Sequence, residues 1–356
     1  MTNDTRPFSL YRFLFQSLDP VHVGVGGYRL GRVDLPIARE PGTNLPKIPG
    51  TGISGAARHY AALQAGRLQC AGQGSSETEV QKKGHCGEPD KCPICYTFGT
   101  LKPVAVAGRV RIFDARLLLF PVATFRGPVW VTSRLTMEDF GIKPVPEPPN
   151  GKVKVAKKLL EDLGKNQPLN LGWLMVDVDG DPLKLTFASG GSSGAMPCTA
   201  SPKAGTSSEL LNQLPGYVLQ RLVMVGDDLF CTIVNSNLEV RTSVSIDPET
   251  GAAKEGALFI YEALPRATFL YLDVVEENKV TADGKDESSF HDGNGWPVKD
   301  SEEAKKAIIP PGSWKSPLDV IESGFKYFEY LGVGGMATRG FGRLKIVACR
   351  EVMLQW

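Results

Sequence analysis

Apolar positions in this chain come in short runs broken by glycine and proline, the pattern of strands, turns and a few helices rather than of a helical bundle. Residues 8–25, within SLYRFLFQSLDPVHVGVGG, predict a strand with a glycine-rich exit. RVDLPIARE follows as a short extended piece held by Pro36. In LPKIPGTGISGAARHYAALQAG, proline and glycine precede an alanine-rich run, which predicts a loop leading into a helix over residues 53–63, closed by Gly66. Residues 71–88 are polar and irregular, whereas VAVAGRVRIFDARLLLFPV and GPVWVTSRL, between 104 and 135, read as strands. Residues 138–170 are rich in proline and lysine and read as an insertion or mobile lid, and 189–206 as a Gly/Ser loop. Residues 222–233 read as a helix starting near Gly226. NLEVRTSVSIDPETGAAKEGALFIYEAL has two β-rich arms around a turn carrying Pro248 and Gly251, which predicts a hairpin. A polar loop over 276–300, a helix-like segment over 318–330 and GVGGMATRGFGRLKIVACR, a glycine-rich loop before a last strand, complete the chain. No internal repeat is visible. Strands at the start, middle and end, with one helix after the first strand and another before the last, predict an α+β sandwich: one layer of helices on an antiparallel sheet.

Composition narrows the picture. With 42% hydrophobic and 22% charged residues in 356, the chain can pack a core and is not disordered as a whole. Its first residues, MTNDTRPFSLYRFLF, lack the basic start and cleavage site of a signal peptide, and no apolar run is long enough to span a bilayer. A cytoplasmic protein with no membrane partner is expected. The formal net charge of +1 excludes a uniformly basic nucleic-acid binder, so any RNA contact has to come from local clusters. Lys102, Arg109, Arg111, Arg116, Arg126 and Arg134, against the single acid Asp114, form one such cluster; a solvated strand face is the alternative.

Four of the seven cysteines, Cys70, Cys86, Cys92 and Cys95, fall in one short stretch, while Cys198, Cys231 and Cys349 stand alone. Without an export signal, clustered cysteines point to metal more than to disulfides. Cys92-Pro93-Ile94-Cys95 has the two-residue spacing that lets both thiolates reach one tetrahedral ion, with Cys70 and Cys86 to complete it and His85 as a competing fourth ligand. Zn²⁺ is favoured, in a structural role that orders a loop too polar to build its own core.

Several segments, in order, resemble one family. PVHVGVGG, VDLPIARE, LPKIPGTGISGAARHY, CPICYTFGT, GRVRIFDARLLLFPV, VGDDLF, EVRTSVSIDPETGAAKEGALFIYEALP and YLGVGGMATRGFGRLKI are similar to the RAMP-superfamily backbone subunits of type III CRISPR complexes, the III-B kind in particular. The resemblance implies a single domain over 1–356 with a ferredoxin-like, RRM-like palm and a thumb hairpin at 239–262. A zinc-binding insertion at 66–99, a lid-like insertion at 138–215 and a polar insertion at 276–313 would decorate it. It further implies that copies stack along a CRISPR guide RNA. Each thumb would then displace a base pair of the guide–target duplex, and the target RNA would be cut at regular intervals. Other partners would be a small helical subunit and a polymerase-like large subunit.

Matched to the family's cleavage aspartate in D-x-P-I, Asp34 becomes the catalytic candidate; a carboxylate can orient the attacking 2′-hydroxyl or hold a divalent ion, Mg²⁺ above all. His22 can act as a general acid or base near neutral pH, with a histidine packed for structure as the alternative, and Tyr261 and Glu262 at the thumb base are further catalytic candidates, with strand-end packing as theirs. The resemblance assigns RNA contacts to Gly26, Gly27, Gly50, Ser54, Arg58, Gly334, Gly335, Arg339, Gly340 and Arg343, where glycine backbone N–H groups approach phosphates closely. Ser54 stands where the family usually has lysine, so one guide-phosphate contact would be weaker or supplied by Arg58. The start of the first helix would likewise face phosphate. A guide-binding scaffold that does not cut, and a stand-alone enzyme processing precursor RNA, are the competing functions.

Overall fold

The structure, a computed structural model, describes residues 7–25, 33–72, 85–86, 92–101, 105–149, 151–164, 167–185, 206–277 and 314–352, except the side chains of 254–257. Strand β1 (Phe8–Ser17) is central, and its sequence shows why: Phe13, Leu14 and Phe15 are all fully buried, so both of its faces are packed. It runs antiparallel to β14 (Phe269–Glu277) on one side and to β15 (Leu344–Glu351) on the other. Next to β14 lies β6 (Ala115–Val122), again antiparallel. Helix α1 (Gly50–Gln64) lies between β1 and β6 along the chain, and α8 (Pro317–Lys326) between β14 and β15. The order β15-β1-β14-β6 with these two helices is a β-α-β-β-α-β arrangement with interleaved halves.

The helices pack through spacing the sequence supplies. Ile53, Ala57 and Ala61 place one small apolar face of α1 inward. Phe325 of α8 meets Phe13 and Phe15 edge-on, with ring centroids 5.0 and 5.5 Å away. Beyond β6 the sheet continues through β7 (Val129–Ser133), β11 (Leu222–Val225), β8 (Lys152–Val155), β10 (Leu174–Val178) and β9 (Leu169–Leu171). The short β2 (Lys47–Ile48) pairs with β6, and β5 (Val110–Ile112) with β14.

Four expectations change here. The sheet is mixed, not antiparallel throughout, since β7–β11 and β8–β10 pair in parallel. Helices cover both faces instead of one. On the second face α3 (Arg134–Asp139), α5 (Ser207–Leu211) and α6 (Gly216–Leu219) bury Met137, Leu210, Leu211 and Val218 against Leu14, Leu118 and Phe269. Residues 138–185 do not stand over the protein as a lid but add β8, β9 and β10, with α4 (Lys157–Leu163) between the first two. KVKV and LNL alternate polar with apolar residues, and Val153, Val155, Val176 and Val178 are buried. Residues 222–233 also divide: the fully buried LVMV is β11, and α7 (Asp227–Ser236) starts only after Gly226, with two aspartates in its first turn.

The hairpin is as expected, with β12 (Glu239–Ile246) antiparallel to β13 (Ala253–Ala263). Its turn is closed by Asp247, whose carboxylate accepts from Glu249 N–H at 2.8 Å. Val244, Ile246 and Leu258 are exposed while Tyr261, Ala263 and Leu264 are buried, so the hairpin stands out from the body on a packed root. Helix α2 (Pro93–Phe98) and the small ribbon of β3 (Gly99–Thr100) and β4 (Val106–Ala107) follow the cysteine-rich segment. Residues 186–205 and 278–313, within the two long insertions, lie outside the described residues. Among the described residues no helix is long and apolar enough to cross a membrane.

Candidate functional site

Three segments meet at the hairpin root. The piece carrying Asp34 lies along β13: Asp34 N–H and Leu35 N–H both donate to Ile260 O, at 2.9 and 3.1 Å, and Glu262 N–H donates to Leu35 O. The Asp34 carboxylate closes the same contact, Oδ2 accepting from Ile260 N–H at 2.7 Å. Its other oxygen makes no hydrogen bond or ion pair among the described residues, and the side chain is half-buried. Two residues along the strand, about 7 Å away at strand rise, Glu262 O receives His22 Nδ1 at 2.7 Å. A carbonyl oxygen only accepts, so Nδ1 is the donor of this contact, and the His22 side chain is buried.

The other two candidates have structural partners. Tyr261 is buried with its ring against Phe341, Phe259 and His22, at centroid distances of 5.5, 6.0 and 6.1 Å. Glu262 is buried too, and both of its oxygens are engaged by Arg39, at 2.8 and 2.7 Å. These two side chains build the root rather than face an open site.

The glycine-rich loop before β15 wraps this root. Gly335 N–H donates to His22 O at 2.9 Å. At Gly334, with φ +88°, a Cβ would sit 2.5 Å from His22 O, so the close approach needs glycine. Gly340 is left-handed as well but faces open space. Arg339 is exposed and lies over the Phe259 ring, 5.7 Å from its centroid, on the hairpin side. Arg343 instead pairs with Asp19.

Elsewhere the structure redirects the expected RNA contacts. Gly50 N–H, at the start of α1, donates to Asp114 Oδ1 at 2.7 Å, so that N–H is not free for a phosphate. Burial alone would raise the Asp114 pKa, but the hydrogen bonds from Lys47 and Gly50 hold it below the usual carboxylate value. Ser54 is half-buried on α1. Arg58 turns toward the cysteines: its Nε donates to Cys70 O at 2.7 Å and Nη2 meets His85 Nδ1 at 3.1 Å. Gly26 and Gly27 lie outside the described residues.

The sulfurs of Cys70, Cys86, Cys92 and Cys95 all lie within 4.8 Å of one another and could hold a metal ion. Two of the separations, 3.7 Å for Cys70–Cys92 and 3.8 Å for Cys86–Cys95, match the edge of about 3.8 Å that a tetrahedron with metal–sulfur bonds of about 2.3 Å requires. Hydrogen bonds from Cys92 and Cys95 pull the Cys70 thiol down to about 4, the thiolate state a metal needs, while hydrogen bonds to Cys70 and Cys92 push Cys95 up. His85 is held by Arg58 and stays outside the set, which corrects it as a competing ligand. Cys70, Cys92 and Cys95 pack with Ile94, Trp314 and Val320, tying the cluster to α8.

A family model described as the RAMP superfamily matches residues 14–345. The chain belongs to the RAMP superfamily. CRISPR system Cmr endoribonuclease Cmr4 of Pyrococcus furiosus is 26% identical over 258 residues, covering 72% of this chain and 77% of the relative. The fold is similar to a chain in the cryo-EM structure of the Type III-B Cmr-beta complex bound to cognate target RNA, with TM-score 0.56 and 14% identity over 96% of this chain and 99% of that one. Oligomeric Cmr4 from Pyrococcus furiosus gives TM-score 0.54 and 18% identity over 97% and 99% of the two chains. The resemblance of the sequence motifs to III-B backbone subunits agrees with these relatives.

One residue of this RAMP site is passed over by the motif reading. Arg39 is a cation at the end of the apolar run LPIA, and a half-buried arginine there requires an acid from elsewhere in the chain. That requirement is the signal that could have found it.

Proposed function

We propose that this RAMP protein is a guide-RNA-binding backbone subunit of a type III-B-like effector and cuts the paired target RNA at Asp34. The observation that carries the reading is the Asp34 carboxylate, fixed by one oxygen to the root of a projecting hairpin while the other oxygen stays uncommitted. In this reading the β-α-β-β-α-β unit is the palm and residues 239–262 the thumb, and the exposed apolar residues of the thumb enter the guide–target duplex. The target 2′-oxygen bonds to its own phosphorus as the 5′-oxygen leaves, giving a 2′,3′-cyclic phosphate and a 5′-hydroxyl. His22 Nε2 takes the hydroxyl proton, water protonates the leaving 5′-oxygen, and Arg339 faces the phosphate. Mg²⁺, where bound, would stabilise the charge on the phosphate. This chain offers it the free Asp34 oxygen, and RNA and water would complete the shell. The four cysteines hold Zn²⁺ as a structural ion. Copies of the chain, a small helical subunit and a polymerase-like large subunit complete the assembly, which is cytoplasmic.

The test is a complex reconstituted on guide RNA with Asp34→Ala in every copy. Cleavage of target is expected to fall by at least about 100-fold, on the scale of lost positioned catalysis, while target binding is kept. Undiminished cutting, with no other nuclease subunit present, would leave the chain a scaffold only.

A further inference from the structure

Arg39 sits where three elements of the hairpin root join. Its guanidinium donates from Nε to Asn235 Oδ1 on α7 at 3.0 Å and from Nη1 to Ile37 O on its own segment at 3.1 Å. It reaches Glu262 on β13 with both Nη atoms, at 2.8 and 2.7 Å. Glu262 Oε1 in turn accepts from Ile37 N–H at 3.2 Å. The contacts to Asn235 and Glu262 tie residues 37–39 to elements that could otherwise slide past them. Five residues upstream on the same extended segment is Asp34, locked to Ile260 of the same strand β13.

We infer that Arg39, paired with Glu262, is a positioning residue that fixes the register of the Asp34 segment on the hairpin and so places the cutting carboxylate. The inference rests on the reading of Asp34 as that carboxylate. Glu262 is thereby assigned to positioning and not to proton transfer, because both of its oxygens already accept from Arg39. Only a planar fork can serve the acid, the carbonyl and the amide together; lysine carries the charge but not the geometry. A shift of a catalytic group by about 1 Å costs on the order of 100-fold in rate, so loosening this joint is felt in the cutting step before it is felt in RNA binding, which involves many other contacts.

Single-turnover target cleavage is measured in guide-loaded complexes carrying Arg39→Lys, Glu262→Gln, or the exchanged pair Arg39→Glu with Glu262→Arg. Both single variants are expected to assemble and bind target within about twofold of wild type but to cut about 10- to 100-fold more slowly, at unchanged positions. The exchanged pair is expected to recover at least part of that loss. Wild-type rates in both single variants, or equal losses of assembly and cleavage with no recovery in the exchanged pair, would overturn the inference. Asp34→Ala in the same assay separates the two ideas: if it abolishes cutting while Arg39→Lys cuts normally, only the positioning role fails, and if Asp34→Ala cuts normally, the underlying reading fails.

Discussion

Glu276 makes stability depend on pH in a direction opposite to that of most carboxylates. It lies near the end of β14, across from Ser9 of β1 and Val110 of β5, and is only 9% exposed. Burial, then the carboxylate of Asp319, raises its pKa from 4.5 to about 7; a hydrogen bond from Leu318 N–H at the start of α8 works against this, and Glu351 adds to the rise. Between pH 4.5 and 7 the folded chain therefore keeps a proton that the unfolded chain has released, so stability falls as pH rises through that window and levels off above it. At about 1.36 kcal/mol per pH unit, the full effect is about 3 kcal/mol. Glu276→Gln removes the titration and retains an amide oxygen for Leu318 N–H. It is expected to stabilise the chain by up to about 3 kcal/mol at pH 8 and by less than about 1 kcal/mol at pH 5. Urea unfolding of both proteins at the two pH values measures this. An equal gain at both, or a loss at pH 8, would refute the argument that a buried carboxylate is being forced to ionise.

Cys92→Ser should lower bound zinc from about one ion per chain toward none, read by elemental analysis, and lower the thermal midpoint to that of the chelator-treated wild type; Cys231→Ser, outside the cluster, should change neither. Gly334→Ala should cost about 1–3 kcal/mol, because its Cβ would meet His22 O at 2.5 Å in a left-handed backbone, whereas Gly340→Ala carries the same backbone strain with nothing in its way. Thermal melts of the two variants side by side separate collision from strain, and equal losses would argue against the tight packing of this loop on His22.

What the sequence makes legible here is local. The SIDPETG turn follows from short-range chemistry, since Asp247, Pro248 and Gly251 fix it whatever surrounds them. Cys92 and Cys95 advertise a metal site by spacing alone. The split between β11 and α7 is less visible because apolar residues resume at Leu229 and Phe230 soon after LVMV, and burial decides what periodicity leaves open. Strands β8 and β9 are short and lie among lysines and prolines, which hides their alternation. The partners at the site are out of reach of any local pattern: Asp34 binds a residue 226 positions away and Arg39 one 223 away. Only the family resemblance brings Asp34, His22, Tyr261 and Glu262 to one place from sequence, and it does not say which are free and which are committed.

That distinction shapes how the site can work. Both the N–H and the carboxylate of Asp34 bind Ile260, and Leu35 forms an isolated parallel bridge with Tyr261, so residues 34–35 are bound directly to the root of β13. A segment held by backbone hydrogen bonds at both donor and acceptor moves with the strand it is bound to. The Asp34 carboxylate is thus bound to the hairpin strand directly and to the glycine loop only through His22. On the proposed function, an RNA duplex that deflects the hairpin would carry the carboxylate along, and the spacing between Asp34 and the distorted RNA strand would stay constant. A carboxylate mounted on the body would lose that constancy each time the hairpin moved.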